Sequence, residues 1–250
     1  MLKKFSVVIP SYREEKYIES LLKSIEGQTL QPMEVIVADR YSGDKTREIA
    51  KRYGCKIVEG GSAARGRNAG VAASMGKIII FVDADCRLDR KDFFEFAITR
   101  FEEKKADIST TFLDSDGKNV LFLIAREFSN LLKHLNYIFV PIFKGILIEG
   151  GCCVVCRRKL FDQISGFDER YKILEDIDFV NRIIRVGGKY YIVPIRVWTS
   201  ERRYNSKSLL HNLSTIIYVL PIGLMMLFNM RIPENLIKGL DKSRGEMGGE

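Results

Sequence analysis

Two acidic clusters in this 250-residue chain have the residue types and spacing for catalysis. The first is Asp83 and Asp85, separated by Ala84. Carboxylates two residues apart on a turn can converge on one hard divalent cation, which prefers oxygen ligands. A cation held there would bridge the phosphates of a nucleoside diphosphate and offset the charge that grows as that group leaves. A solvated turn would carry the same pair. The second cluster is Glu175, Asp176 and Asp178, at the start of a predicted helix. Carboxylates complement a helix N-terminus, which is a sufficient structural reason for them. One of them could also take the proton of an acceptor hydroxyl. Arg202 and Arg203 lie in the segment 200–204 (SERRY). Two guanidinium groups could clamp a diphosphate or stand solvated at the surface, and spacing does not choose between these.

The elements around these residues indicate how they could meet. The run 5–9 (FSVVI) is apolar, β-branched and ended by Pro10, which reads as a buried parallel strand. Residues 15–26 have helical spacing through Ile18, Leu21, Leu22 and Ile25. Strands are predicted over 33–38, 55–58 and 77–82, with helices over 44–53 and 63–75 between them. Four alternations of strand and helix imply a parallel sheet with right-handed crossovers. Ligands bind such sheets beyond the carboxyl ends of the strands. Pro10, Ser11, Tyr12 and Glu14 follow the first strand, Asp39 the second, and Asp83 and Asp85 the fourth. Arg67 and Asn68 lie in the small-residue helix segment 64–70 (ARGRNAG).

The second half is less regular. A helix is predicted over 90–104 and a strand over 106–113, closed by a turn at 114–117. Residues 120–148 are rich in Leu, Ile and Phe, with Arg126 and Lys133 flanking the helical face. A strand over 150–156 is entered through Gly150 and Gly151. A helix at 175–186, a strand at 190–193 and a long apolar helix at 207–228 follow. The charged, Gly-rich tail from Leu240 is expected to fray.

Hydrophobic residues make up 46% of the chain and charged residues 29%, which excludes a disordered chain. The net charge of +8 suits an anionic partner: a diphosphate, a nucleic acid or a membrane surface. It equally suits a basic domain that simply stays soluble. Five cysteines, Cys55, Cys86, Cys152, Cys153 and Cys156, are odd in number, and no leader segment is read before the first strand. A reducing, cytosol-facing compartment is therefore expected. Cys152, Cys153 and Cys156 have no second Cys/His pair at zinc-like spacing and read as a buried apolar strand. Residues 213–228 are uncharged but shorter than the about 20 apolar residues of a spanning helix, and Pro221 and Gly223 interrupt them. This run and 120–148 either cover the sheet as core or lie at the cytosolic membrane face, where basic residues meet anionic lipid.

Taken together, the pattern resembles the family 2 inverting glycosyltransferases, which have the GT-A fold. The matching pieces are 6–14 (SVVIPSYRE), 34–39 (EVIVAD), 42–46 (SGDKT), 64–70, 81–85 (FVDAD), Gly150 with Gly151, 158–161 (RKLF), 166–169 (GFDE) and 175–178 (EDID). Their order and spacing agree over roughly residues 4 to 204. The resemblance implies an α/β, Rossmann-like GT-A domain with a mostly parallel central sheet flanked by helices. It would cover 1–205, with a nucleotide-binding half to about 115 and an acceptor half over about 116–205. The apolar helix at 206–232 and a flexible tail at 233–250 would follow. The implied reaction moves one sugar from a nucleoside-diphosphate sugar to an acceptor hydroxyl or lipid phosphate, with inversion and a divalent cation, magnesium or manganese. Pro10, Ser11, Tyr12 and Glu14 sit where the family contacts the nucleoside, and Asp39 where it holds the base. Arg67 and Asn68 shape the nucleotide pocket, Asp83 and Asp85 match the metal motif, and Asp176 matches the catalytic base. Gly150, Gly151, Glu175, Arg202 and Arg203 fall on the acceptor side. No nucleic-acid partner is implied, and a lipid-linked acceptor would suit a cytosolic membrane face.

The chain departs from the family at Arg40 and Tyr41, where an Asp and a Gly often follow the first Asp of strand two. The Gln-x-x-Arg-Trp motif of processive synthases is absent, which favours single-sugar transfer. A dinucleotide-dependent oxidoreductase would need a Gly-rich turn after strand one, and 10–14 (PSYRE) has none. A nucleotidyltransferase could use the same metal chemistry but lacks its Gly-rich basic loop there. A non-catalytic nucleotide-sugar-binding protein is the remaining alternative.

Overall fold

The computed structural model describes residues 4–115, 120–146, 152–171 and 174–202, with Leu224, Met225 and Met230. Gly150, Gly151, Arg203 and, apart from Leu224 and Met225, the apolar run 207–228 lie outside the described residues, as does the tail from Leu240.

The predicted alternation is present. β1 (Phe5–Ser11), β2 (Glu34–Asp39), β3 (Lys56–Glu59) and β4 (Ile78–Val82) alternate with α1 (Ile18–Glu26), α2 (Thr46–Arg52) and α3 (Ala63–Ala72). β1 lies between β2 and β4, all parallel, and β2 carries β3 on its other side. Every side chain of β4 is buried, as a strand covered on both faces requires. α1 buries Ile18, Leu21, Leu22 and Ile25 and turns its polar residues outward.

The second half supplies β5 (Cys86–Arg87), α4 (Phe93–Glu103), β6 (Ile108–Asp114), α5 (Val120–Phe143), β7 (Cys153–Arg157), α6 (Arg158–Gln163), α7 (Glu175–Arg185) and β8 (Tyr190–Thr199). Among the described residues eight strands form one sheet in the order β3-β2-β1-β4-β7-β6-β8-β5. The sheet is mixed. β7 runs antiparallel to both β4 and β6, and β5 antiparallel to β8. β8 continues to Thr199, past the predicted end at 193. Its register against β6 shifts between Thr111 and Phe112, opposite Pro194. Proline has no N–H to give the ladder, so a bulge absorbs it.

Two hydrophobic clusters lie on the two faces of the sheet. The second includes Phe81, Phe161, Phe167 and Phe179, with Phe167 and Phe179 stacked at 3.9 Å between ring centroids. This aromatic cluster supports the candidate site from below. Cys153 and Cys156 are buried in β7, within the apolar strand read from the sequence.

Candidate active site

α3 lies tightly against β1. A Cβ on Gly70 would collide with the Val8 side chain, so the glycine permits this approach. The fit brings Arg67, one turn earlier, to the carboxyl end of β4. There it is almost fully buried and bridges two acids: Nη2 donates to Asp83 Oδ1 and Nη1 to Glu175 Oε1, each at 2.8 Å. Its guanidinium also sits 5.3 Å from the Phe167 ring centroid. Burial works against the Arg67 charge, but Asp83 and Glu175, with a contribution from Asp176, outweigh it and hold the proton firmly. Residues 67, 83 and 175–176, far apart in sequence, therefore form one electrostatic unit.

Asn68 is held by the loop before α7. Its Nδ2 donates to Phe167 O and Glu169 Oε1, and its Oδ1 accepts the Phe167 N–H at 2.8 Å. Gly166 has φ of +71°, and a Cβ there would strike Asn68 Oδ1. The segments 64–70 and 166–169 thus clasp each other. The clasp positions α7, which opens with Glu175, Asp176 and Asp178. Asp176 is half-buried, and its Oδ1 accepts the Ile177 N–H at 2.9 Å. Asp178 points elsewhere, pairing with Arg182 at 2.7 Å.

The second acid of the 83–85 turn faces a different arginine. Asp85 is buried, and its Oδ2 accepts from Ser200 Oγ at 2.8 Å and lies 3.1 Å from Arg202 Nε. Arg202 also makes a bidentate pair with Glu14, at 2.5 and 2.7 Å. Burial opposes the Arg202 charge, and the Glu14 hydrogen bonds and Asp85 raise its pKa regardless. For Glu14 desolvation dominates, so its pKa is raised despite the arginine. Arg202, expected on the acceptor side, pairs with Glu14 and Asp85, both expected on the donor side. Glu175, expected there too, faces Arg67. Ser200 on Asp85 was not singled out from the sequence, where only the arginines of the 200–204 segment drew attention.

At the ends of β1 and β2, Ser11 and Asp39 are register partners. Buried Asp39 accepts from Ser11 Oγ at 2.9 Å and from the Ser42 N–H and Oγ at 2.8 and 2.7 Å. Pro10 precedes Ser11 on β1, and a Cβ on Gly66 would reach it, so α3 also packs here. Tyr12 is exposed, with the guanidinium groups of Arg13 and Arg40 at 5.4 and 5.2 Å from its ring. Tyr41 adopts φ of +51°, which explains why glycine suits this position in the family pattern.

Among the described residues no three His, Cys, Asp or Glu side chains are grouped to hold a metal ion. Asp83 and Asp85 offer the carboxylate oxygens that a hard cation prefers. Both are carboxylates on one turn, and each already meets a cationic group, Arg67 and Arg202 respectively. Phosphate oxygens and water would complete the shell.

The glycosyl transferase family 2 model matches residues 6–165. The O-antigen chain rhamnosyltransferase WbaN of Salmonella anatum is 26% identical over 200 residues, covering 74% of this chain and 62% of that protein. The minor teichoic acid biosynthesis protein GgaB of Bacillus subtilis is 28% identical over 202 residues, covering 76% of this chain and 22% of that protein. The chain spans less than two thirds of the length of these relatives. Among solved structures, glucosyl-3-phosphoglycerate synthase from Mycobacterium tuberculosis, with Mn2+, UDP and phosphoglyceric acid, aligns with a TM-score of 0.65 at 20% identity, covering 92% of this chain and 80% of that one. Residues 1–349 of S. aureus TarS, with UDP, align with a TM-score of 0.60 at 19% identity, covering 96% and 70%. At these identities the likeness shows the shared fold.

Proposed function

Because the chain belongs to glycosyl transferase family 2, we propose that it moves a single sugar from a nucleoside-diphosphate sugar to an acceptor hydroxyl or lipid phosphate, with inversion. The observation that carries this reading is Arg67, which ties Asp83 of the donor side to Glu175, next to Asp176. The arrangement suits one in-line displacement. The acceptor oxygen attacks the anomeric carbon as Asp176 takes its proton, and the bond from that carbon to the diphosphate oxygen breaks. Asp85, with Asp83, would hold a magnesium or manganese ion, which supplies positive charge toward the leaving diphosphate. Pro10, Ser11, Tyr12, Glu14 and Asp39 would line the nucleoside pocket. Asn68 would shape it indirectly through the 167–169 loop. Arg202, which meets Asp85 and Glu14, would offer its guanidinium to the diphosphate.

The complexes of TarS and of the mycobacterial synthase both contain UDP, which makes a uridine nucleotide the first donor to try. The WbaN name refers to the O-antigen chain, and we extend that to a lipid-linked acceptor reached from the cytoplasm at the membrane face. Among the described residues no helix is long and apolar enough to cross a membrane. Calorimetry with UDP and other nucleoside diphosphates, with manganese or with chelator, tests the donor side. One of them should bind, and more tightly with the cation. Failure of every nucleoside diphosphate to bind in manganese would overturn the reading.

A further inference from the structure

α5 turns apolar side chains outward and buries polar ones. Among its described side chains Asn130, Lys133 and Asn136 are buried, together with Leu132. Asn130 exchanges two hydrogen bonds with the Leu113 backbone, and Lys133 donates to Thr111 O. Its outer side is largely apolar. Val120, Ile124, Phe128, Leu131, Ile138 and Ile142 are each 55–66% exposed, in steps of three, four or seven residues. From Val120 to Ile142 these residues follow about 33 Å of helix, with exposed Glu127 and His134 on the same side. An ordinary surface helix has the reverse polarity, and an exposed apolar patch of this size marks a contact surface.

We propose that this face of α5 docks on an anionic lipid bilayer, which rests on the reading of a lipid-linked acceptor. Three observations select the occupant. First, the segment that precedes the chain's second apolar run in sequence lies close by. Ser115 Oγ donates to Glu201 Oε1 at 3.4 Å just before α5, so the described chain reaches residue 202 near the start of the helix. The described hydrophobics in and after that run, Leu224 and Met230, are 40% and 55% exposed, so at these positions the run does not bury itself on the domain. Exposed apolar side chains on both segments suit an apolar phase. Second, charge favours lipid over a second copy. The chain carries +8, Arg196 is half-exposed beside Glu127, and Lys144 is exposed just after α5. Two such copies repel each other, whereas an anionic headgroup layer attracts both residues. Third, the stripe starts next to the candidate site. The Glu201 that meets Ser115 lies between Ser200 and Arg202, the two partners of Asp85, and Arg126 of α5 pairs with Asp114 at 3.0 Å. A bilayer under α5 would bring lipid headgroups to the edge where an acceptor enters.

The test is vesicle flotation of the full chain. Neutral phosphatidylcholine vesicles are compared with vesicles containing phosphatidylglycerol, using wild type and the triple variant Ile124→Gln, Leu131→Gln and Ile138→Gln. These side chains are exposed, and an unchanged melting temperature confirms the fold. Wild type should float, more strongly on the anionic vesicles, and the variant should lose binding about tenfold or more as its apolar contact is removed. Absence of flotation for wild type, or equal flotation of the variant, overturns the proposal. So does a wild-type dimer that the variant splits, which would assign the face to a second copy. So does cross-linking of residues 213–228 onto α5 without vesicles, which would assign it to the chain's own segment. Nucleoside-diphosphate binding in the same preparations keeps the questions apart. If it is intact while flotation fails, only the docking surface falls. If it fails while flotation holds, the glycosyltransferase reading falls and the docking surface stands without its lipid-linked acceptor.

Discussion

The two halves of the sheet are built by different rules. In the β1–β4 half, strands are parallel and apolar, and their carboxyl ends carry Ser11, Asp39, Asp83 and Asp85 in a fixed frame. Ser11 and Asp39 are held as register partners, and α3 is pressed onto β1 through Gly70. The other half has antiparallel β7, a bulged β8 and an α5 that turns apolar side chains outward, and its candidate base stands on α7 behind the left-handed Leu174. Rigid donor recognition and a variable acceptor side would have this division. The halves meet through two arginines, buried Arg67 and partly exposed Arg202. Arg67 joins Asp83 to Glu175, and Arg202 joins Glu14 to Asp85.

The largest expected effect comes from cutting that junction. Arg67→Met leaves Asp83 and Glu175 without their shared cation in a largely buried site, and such a loss costs about 3–5 kcal/mol. Chemical denaturation should show it as a lower midpoint, and a wild-type midpoint would mean that the two halves are not coupled through Arg67. Next in size is a change confined to the acceptor half. Asp176→Asn should reduce turnover by about a hundredfold or more while donor affinity is retained, as expected for loss of a general base. Normal turnover would remove Asp176 from that role. A change confined to the donor half should be smaller. Asp85→Ala should weaken nucleoside-diphosphate binding about tenfold in manganese and little in chelator. Equal affinity of wild type and variant in manganese would separate Asp85 from any metal. The smallest is Tyr41→Gly. Relief of its left-handed backbone and the added chain entropy oppose each other, so stability should shift by less than about 1 kcal/mol. A larger loss would show that the Tyr41 hydrogen bond to Glu59 contributes to stability.

The β1–β4 half is legible in the sequence because each buried parallel strand is a short apolar run stopped by a polar residue at its carboxyl end. Composition carries no direction, so the run at 153–157 gave no sign that β7 is antiparallel. α6, six residues long, is too short for periodicity to reveal. The end of β8 was missed because Pro194 breaks the alternation and the strand resumes after a bulge. For 120–148, the abundance of Leu, Ile and Phe was plain, but which side faces out was not. Lys133 was expected to flank the helical face and is fully buried. In the candidate site, the acids were identified one by one from motif spacing. Their pairing through Arg67 was not, since the partners are 16 and 108 residues away. Nothing local distinguishes Arg202 as the residue that covers Asp85.

The central claim is sugar transfer from a nucleoside-diphosphate donor, and the most direct measurement is product analysis. The full chain would be incubated with a panel of sugar nucleotides, magnesium or manganese, and soluble or polyprenyl-phosphate acceptors. The account predicts nucleoside-diphosphate release from at least one donor, with the sugar recovered on an acceptor in inverted anomeric configuration. A nucleoside diphosphate that binds but is never released from any sugar nucleotide, or transfer with retained configuration, would contradict it.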